Sequence, residues 1–228
     1  MLKITILTIC PEMFGDFLAS HCIALAEKRQ LAKVEIVDIR DYADGSFRKV
    51  DDSPYGGGPG MVLRAEPVYE AIMAHKDAGS RVIFLSPAGQ TYHQKKARAL
   101  ARAEHLILLC GHYEGIDTRI LPFVDEELSV GDYILSGGEI AAMAVTDSVL
   151  RLLKGNLKEG SAEEESFEDG LLEYPQYTRP VECLGQKVPE VLLSGNHEAI
   201  AEYRKAESLR MTREKRPDLL NKSHFVFW

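Results

Sequence analysis

The stretch Leu106-Ile-Leu-Leu-Cys-Gly-His-Tyr-Glu-Gly-Ile-Asp117 decides the fold. Its first five residues are apolar without alternation, which reads as a strand buried on both faces. The glycines at 111 and 115 enclose a histidine, a tyrosine and a glutamate, which reads as a loop that meets a ligand. Working outward, Ile4–Ile9, Val34–Ile39, Arg81–Leu85 and Glu127–Val130 are further short β-branched or leucine-rich runs. Helical spacing predicts helices over Met13–Glu27, Glu66–His75, Tyr92–Ala103 and Glu139–Leu153. Strands alternating with helices predict an α/β domain with a mainly parallel sheet flanked by helices. In such sheets ligands bind beyond the carboxyl ends of the strands. The segments there are Ser86-Pro-Ala-Gly89, Gly111-His-Tyr-Glu-Gly115 and Gly131-Asp-Tyr-Ile-Leu-Ser-Gly-Gly138, and all three carry glycine.

The 228 residues are 45% hydrophobic and 27% charged, enough apolar material for a good core and too much for a disordered chain. A formal charge of −8 excludes a uniformly basic nucleic-acid binder but leaves room for local cationic surface. The four cysteines, Cys10, Cys22, Cys110 and Cys183, are widely spaced and read as reduced core thiols. The N-terminal run MLKITILTICPEMF is too short to span a bilayer and lacks a small-residue cleavage site, so a cytoplasmic protein without a membrane partner is expected.

From Lys154 the character changes. Ser161–Glu173 holds Glu163, Glu164, Glu165, Glu168, Asp169 and Glu173, an acidic segment that reads as an interdomain linker or plain solvated surface. Beyond it, Val188–Leu193 and Asn196–Met211 predict a small, mostly helical second domain. Between residues 204 and 222 stand seven cations (Arg204, Lys205, Arg210, Arg213, Lys215, Arg216, Lys222) and three anions, a local +4 inside an acidic protein.

The P-loop, dinucleotide, metalloprotease and hydrolase-elbow motifs are absent, and the first strand ends in Cys10-Pro11-Glu12 where a Rossmann-type methyl-donor site wants glycines. The run Asp51-Asp-Ser-Pro-Tyr-Gly-Gly-Gly-Pro-Gly-Met61 excludes helix and strand and makes a pliable loop that can approach a ligand. Tyr113 offers a stacking face and Glu114 offers acceptors, so two glycine-bearing loops after adjacent strands predict a pocket.

With the three post-strand loops, Tyr55-Gly-Gly-Gly-Pro-Gly-Met61 and Tyr174-Pro-Gln-Tyr-Thr-Arg-Pro180 in hand, the sequence resembles the bacterial tRNA (guanine-N1)-methyltransferase family of the SPOUT class. The resemblance runs from Pro11-Glu-Met-Phe14 to Arg216-Pro-Asp-Leu-Leu220. It implies methyl transfer from S-adenosylmethionine to N1 of guanosine 37 in tRNA, a trefoil knot that holds the donor, and a homodimer with a shared active site. It also implies a division into a knotted domain at 1–158, a flexible acidic linker at 159–170 and a helical domain at 171–228 that grips the anticodon stem-loop.

Carried over residue by residue, the donor pocket corresponds to Leu85, Ser86 and Pro87, to Gly111, Tyr113 and Glu114, and to Ser129, Val130, Gly131, Asp132, Tyr133, Ile134 and Leu135 with Gly137 and Gly138. Guanine N1 carries a proton, so methylation needs a base at N1 and positive charge near O6. The resemblance assigns these roles to Glu165 and Arg151, with Asp169 a rival for the base. Arg179, Arg204, Arg210, Arg213, Lys215 and Arg216 are expected on the RNA backbone. A magnesium requirement also comes with the family, but no metal site is legible.

Three positions depart from the family pattern: Glu165 stands for aspartate, His112 for arginine and Ala141 for proline. For His112 both a structural hydrogen bond and a substrate-phosphate role stay open. The alternatives are a SPOUT enzyme with another target, such as a ribose 2′-hydroxyl, and a non-catalytic RNA-binding module.

Overall fold

The computed structural model describes residues 1–156 and 165–220, which form two compact units divided between Glu159 and Gly160. In the first unit the chain runs through β1 (Leu2–Thr8), α1 (Gly15–Leu18), α2 (His21–Lys28), β2 (Ala32–Asp38), β3 (Asp51–Asp52), β4 (Val62–Leu63), α3 (Ala65–His75), β5 (Ser80–Thr91), α4 (Gln94–Leu100), β6 (His105–Cys110), β7 (Glu126–Ser129) and α5 (Glu139–Leu150). The five longer runs pair in parallel in the order β2-β1-β6-β5-β7. These are the five strands expected from the apolar runs.

Period-two alternation sorts each strand onto two buried layers. Ile4, Ile6, Ile83, Leu85, Leu106 and Leu108 pack with Ile23, Leu100, Val145 and Val149, so α2, α4 and α5 cover one face. Leu7, Val82, Phe84, Ile107 and Leu109 pack with Val68 and Ile72 of α3 on the other. A sheet covered on both faces is what makes β6 a continuous apolar run, with all six of its residues buried.

Four expectations change. The single helix over Met13–Glu27 is instead a 3-10 turn (Pro11–Phe14), α1 and α2, broken where Ser20 is extended at φ −60°, ψ 148°. Phe14 and Ile23 are both fully buried in the same layer, whereas nine residues along one straight helix would set them on opposite faces. The helix expected over Tyr92–Ala103 narrows to α4 because β5 runs on to Thr91 and the Tyr92 N–H donates to Ser129 O at 2.7 Å. For the same reason Ser86–Gly89 is not a loop after a strand end. It is an offset inside β5, with Leu85 and Gln90 both aligned with Leu128. The run Asp51–Met61 also opens with strand, since β3 pairs antiparallel with β4.

In the second unit β8 (Glu182–Cys183) and β9 (Gln186–Lys187) form a small hairpin, followed by a 3-10 turn (Glu190–Leu193) and α6 (His197–Lys215). The helical stretch expected over Val188–Leu193 is therefore a single turn after Pro189. Asn196 caps α6 by accepting from the Ala199 N–H at 3.2 Å. Of α6 only Thr212 is fully buried, and its hydroxyl accepts from the Leu172 N–H at 2.9 Å. Among the described residues no helix is long and apolar enough to cross a membrane.

Candidate functional site

Between the offset inside β5 and the carboxyl ends of β6 and β7 lies a cleft of about 550 Å³. Its walls come from Phe84–Ala88, from Gly111–Ile116 and from Glu127–Val130 with Tyr133–Gly138. The loops are sewn together through backbone. Gly138 N–H donates to Gly111 O at 2.8 Å, and His112 and Gly137 form an antiparallel bridge. The glycine-rich hairpin between β3 and β4 is fastened to the same wall, because Glu114 N–H donates to Met61 O at 3.0 Å and Leu63 N–H to Gly115 O at 3.0 Å.

Close approach explains the small residues. A Cβ on Gly138 would stand 2.7 Å from Cys110 Cα, and one on Gly89 would stand 2.4 Å from Leu128 N. Any side chain there would push neighbouring segments apart; at Gly138 this leaves bare backbone on the cleft wall, and at Gly89 it lets β5 pass close to β7. Around the rim, Tyr113, Tyr133 and Ile134 remain 46%, 58% and 81% exposed, an apolar edge that soluble proteins seldom leave uncovered without a ligand or partner. Tyr113 has φ +57°, a strained setting for a tyrosine, and its ring meets that of His112 edge-on at 4.8 Å.

Of the residues nominated for the donor pocket, Gly131 and Asp132 are not on the wall, whereas the rest line it. Gly131 instead sits behind, with its N–H donating to Ser129 Oγ at 3.2 Å. Phe84, Ala88, Thr118, Leu121, Glu127 and Leu128 line it too and were not singled out one by one in the sequence.

Behind the wall lies a second group missed in the sequence. Cys10, His112 and Glu139 bring their ligand atoms within 4.8 Å of one another. Thr8 Oγ1 donates to Glu139 Oε1 at 2.8 Å and receives the Cys10 N–H at 2.9 Å. Partial burial and the neighbouring Glu139 carboxylate push the Cys10 thiol up, and full burial pushes Cys110 well above the usual thiol range, so neither is an activated nucleophile.

Arg151 is the C-cap of α5, while Gly138 is its N-cap on the cleft. Twelve helical residues place about 18 Å of axis between them, so the fold of one chain does not bring Arg151 to the cleft.

In the second unit the described part of the acidic segment is a closed turn. Glu168 N–H donates to Glu165 O and Phe167 N–H to Leu171 O, and Phe167 lies under the Arg216 guanidinium at 5.8 Å. Glu165 is half-buried there and Asp169 exposed, whereas Glu163, Glu164 and Lys222 lie outside the described residues. Arg204 stacks over the Tyr174 ring at 4.6 Å. It shares with Arg179 the wall of a second cavity of about 450 Å³. Arg210 is gripped by Glu207 and Glu214 at 2.6 and 2.8 Å, and Arg216 by Asp218 at 2.7 Å, whereas Arg213 and Lys215 are exposed.

Comparison with known proteins identifies the family. The family model described as tRNA (Guanine-1)-methyltransferase TrmD matches residues 2–222. A tRNA (guanine-N(1)-)-methyltransferase of Geobacillus kaustophilus is 51% identical over 225 residues, covering 96% of this chain and 92% of the relative. Those of Ruminiclostridium cellulolyticum and Halalkalibacterium halodurans are 51% and 52% identical, covering 97% and 91% of the relatives. Likeness of that depth, spread over both units, means that the chain belongs to the tRNA (guanine-1)-methyltransferase family.

Proposed function

We propose that the protein transfers a methyl group from S-adenosylmethionine to N1 of guanosine 37 in tRNA. The observation that carries this reading is the glycine-lined cleft between the offset in β5 and the loops that follow β6 and β7, in a chain of this family. A volume of about 550 Å³ suits a nucleoside-sized ligand, and its loops offer peptide N–H and C=O groups that a purine edge can pair with. The residues holding the donor would be Leu85–Pro87, Gly111, Tyr113, Glu114, Ser129, Val130 and Tyr133–Leu135 with Gly137 and Gly138. When bound, S-adenosylmethionine supplies an electrophilic methyl group.

The remaining work falls to the chain. The Glu165 carboxylate takes the N1 proton, with Asp169 as the rival, and the Arg151 guanidinium steadies the negative charge that moves to O6. Because α5 separates Arg151 from the cleft of its own chain, Arg151 reaches a cleft from a second copy, which supports a homodimer with a shared site. The segment from β5 to α5 is taken as the trefoil knot. The close pass of Gly89 over Leu128 and the clasp of Gly138 on Gly111 support it. The helical domain holds the anticodon stem-loop through Arg179, Arg204, Arg210, Arg213, Lys215 and Arg216, and the acidic linker brings the base to the guanine. The setting is the cytoplasm.

Magnesium does not fit the described metal-ligating group. A thiol and an imidazole beside one carboxylate are poor partners for an ion that seeks six oxygens, so no step runs through it.

The test is methyl incorporation from labelled S-adenosylmethionine into tRNA transcripts carrying G or A at position 37. Transfer to the G37 transcript alone is expected. A folded, donor-binding protein that leaves G37 unmethylated would sink the reading. Light scattering of the purified protein should give twice the chain mass, and an active monomer would contradict the shared site.

A further inference from the structure

We propose that Cys10, His112 and Glu139 form a binding site for a thiophilic divalent d-block ion of the zinc type. The three residues come from the end of β1, the loop after β6 and the first residue of α5, and their ligand atoms converge to within 4.8 Å of one another. His112 Nδ1 stands 3.8 Å from Glu139 Oε2. Bonds of about 2.0–2.3 Å in a tetrahedral zinc site set neighbouring ligand atoms about 3.3–3.8 Å apart. The cluster is thus within a side-chain adjustment of that geometry.

A buried carboxylate and a buried ring nitrogen in want of a partner meet there. Glu139 is 1% exposed, and the Thr8 hydroxyl bonds to Oε1, on the other oxygen from the one that faces the imidazole. His112 Nδ1 is buried and, among the described residues, has no hydrogen-bond partner. A buried carboxylate and a buried, unbonded ring nitrogen are each costly, and one ion between them satisfies both. The ligand set itself selects the metal: sulfur, imidazole nitrogen and one carboxylate suit zinc, cobalt or copper, and disfavour calcium and magnesium. Cys10 and His112 are half-buried, which leaves an entry path.

The support around the ligands is already ordered. The Cys10 N–H and Glu139 meet on Thr8, and the strand bridge from His112 to Gly137 fixes the imidazole-bearing loop against the turn that precedes Glu139. Three protein ligands leave one position for water. Loading therefore ties three segments that meet beside the cleft. The site does not depend on which base or ribose the enzyme methylates.

Titration of the folded, metal-stripped full chain with Co²⁺ tests it. One equivalent should produce a thiolate-to-cobalt charge-transfer band in the near ultraviolet together with intense tetrahedral visible bands, and Zn²⁺ should bleach both. Cys10→Ser should remove the charge-transfer band, and His112→Gln should weaken Co²⁺ binding by about tenfold or more. Zn²⁺ should slow alkylation of Cys10 by iodoacetamide at least about tenfold, read by mass spectrometry on the unmutated chain, which requires no variant to fold. Absence of a stoichiometric band, a band that survives Cys10→Ser but is lost in Cys22→Ser or Cys183→Ser, or unchanged alkylation of Cys10 would overturn the proposal.

Discussion

The cleft of the α/β unit and the cationic helix of the second unit present polarity in opposite ways. Around the cleft the wall is made of loops held close by buried strands, with glycines at points of contact that admit no side chain. On α6 the surface is made of long side chains on a helix that buries one threonine, with Arg210 and Arg216 already paired to carboxylates. The first is specific and hard to retune, because changing it means moving backbone. The second is adjustable one charge at a time, and its grip on an anion weakens with salt.

The sharpest break of that contrast is at Gly89. A Cβ there meets three backbone atoms of Glu127 and Leu128 at 2.4–2.6 Å, so Gly89→Ala should cost about 3 kcal/mol or more in a urea unfolding curve of the full chain. Gly111→Ala meets only the Phe84 ring, at 3.0 Å, and should cost less because a ring can shift. Equal costs would mean that close backbone contact is not what fixes these glycines.

Arg151→Ala should lower turnover about a hundredfold, the loss of one donor to a developing oxyanion, with donor affinity nearly unchanged. A large loss of donor binding would make the residue structural. In the same assay Glu165→Gln should be inactive; if only Asp169→Asn is, the base is Asp169.

On α6, Glu207→Gln combined with Glu214→Gln releases Arg210 from its ion pairs. Affinity for tRNA should rise a few-fold and the salt slope should steepen by about one, measured by filter binding at several ionic strengths. Arg213→Ala should move both the other way.

The smallest effect is a pH slope in the α/β unit. Burial holds the His105 imidazole below its usual 6.5, with Lys3 adding and Asp77 opposing. The unfolded chain therefore binds the proton more readily, so the stability contribution is complete above about pH 6.5 and is lost as pH falls toward the folded value. Replacement by Asn should flatten that part of a melting-temperature profile, while charge changes on α6 should leave it alone.

Much of this was legible in the residues and some was not. The unbroken apolar run of β6 and the glycines behind each strand announced both the sheet and the wall of the cleft, because burial on two faces and close backbone approach leave direct marks on composition. Helix limits in Met13–Glu27 were not legible, since no local signal reports that Phe14 and Ile23, on opposite sides of one straight helix, must both reach the same face of the sheet. The offset of β5 around Ser86–Gly89 depends on where β7 lies, and no local pattern reports that.

By itself the sequence determined the five strands of the main sheet, which loops carry glycine, and the family, since these follow from local chemistry and shared motifs. Only the tertiary structure decided that Cys10, His112 and Glu139 meet, and that Arg151 sits a helix length from the cleft its own chain builds. Proximity between residues a hundred positions apart is set by how strands are ordered in a sheet, and a linear pattern of side chains does not encode that order in any one place.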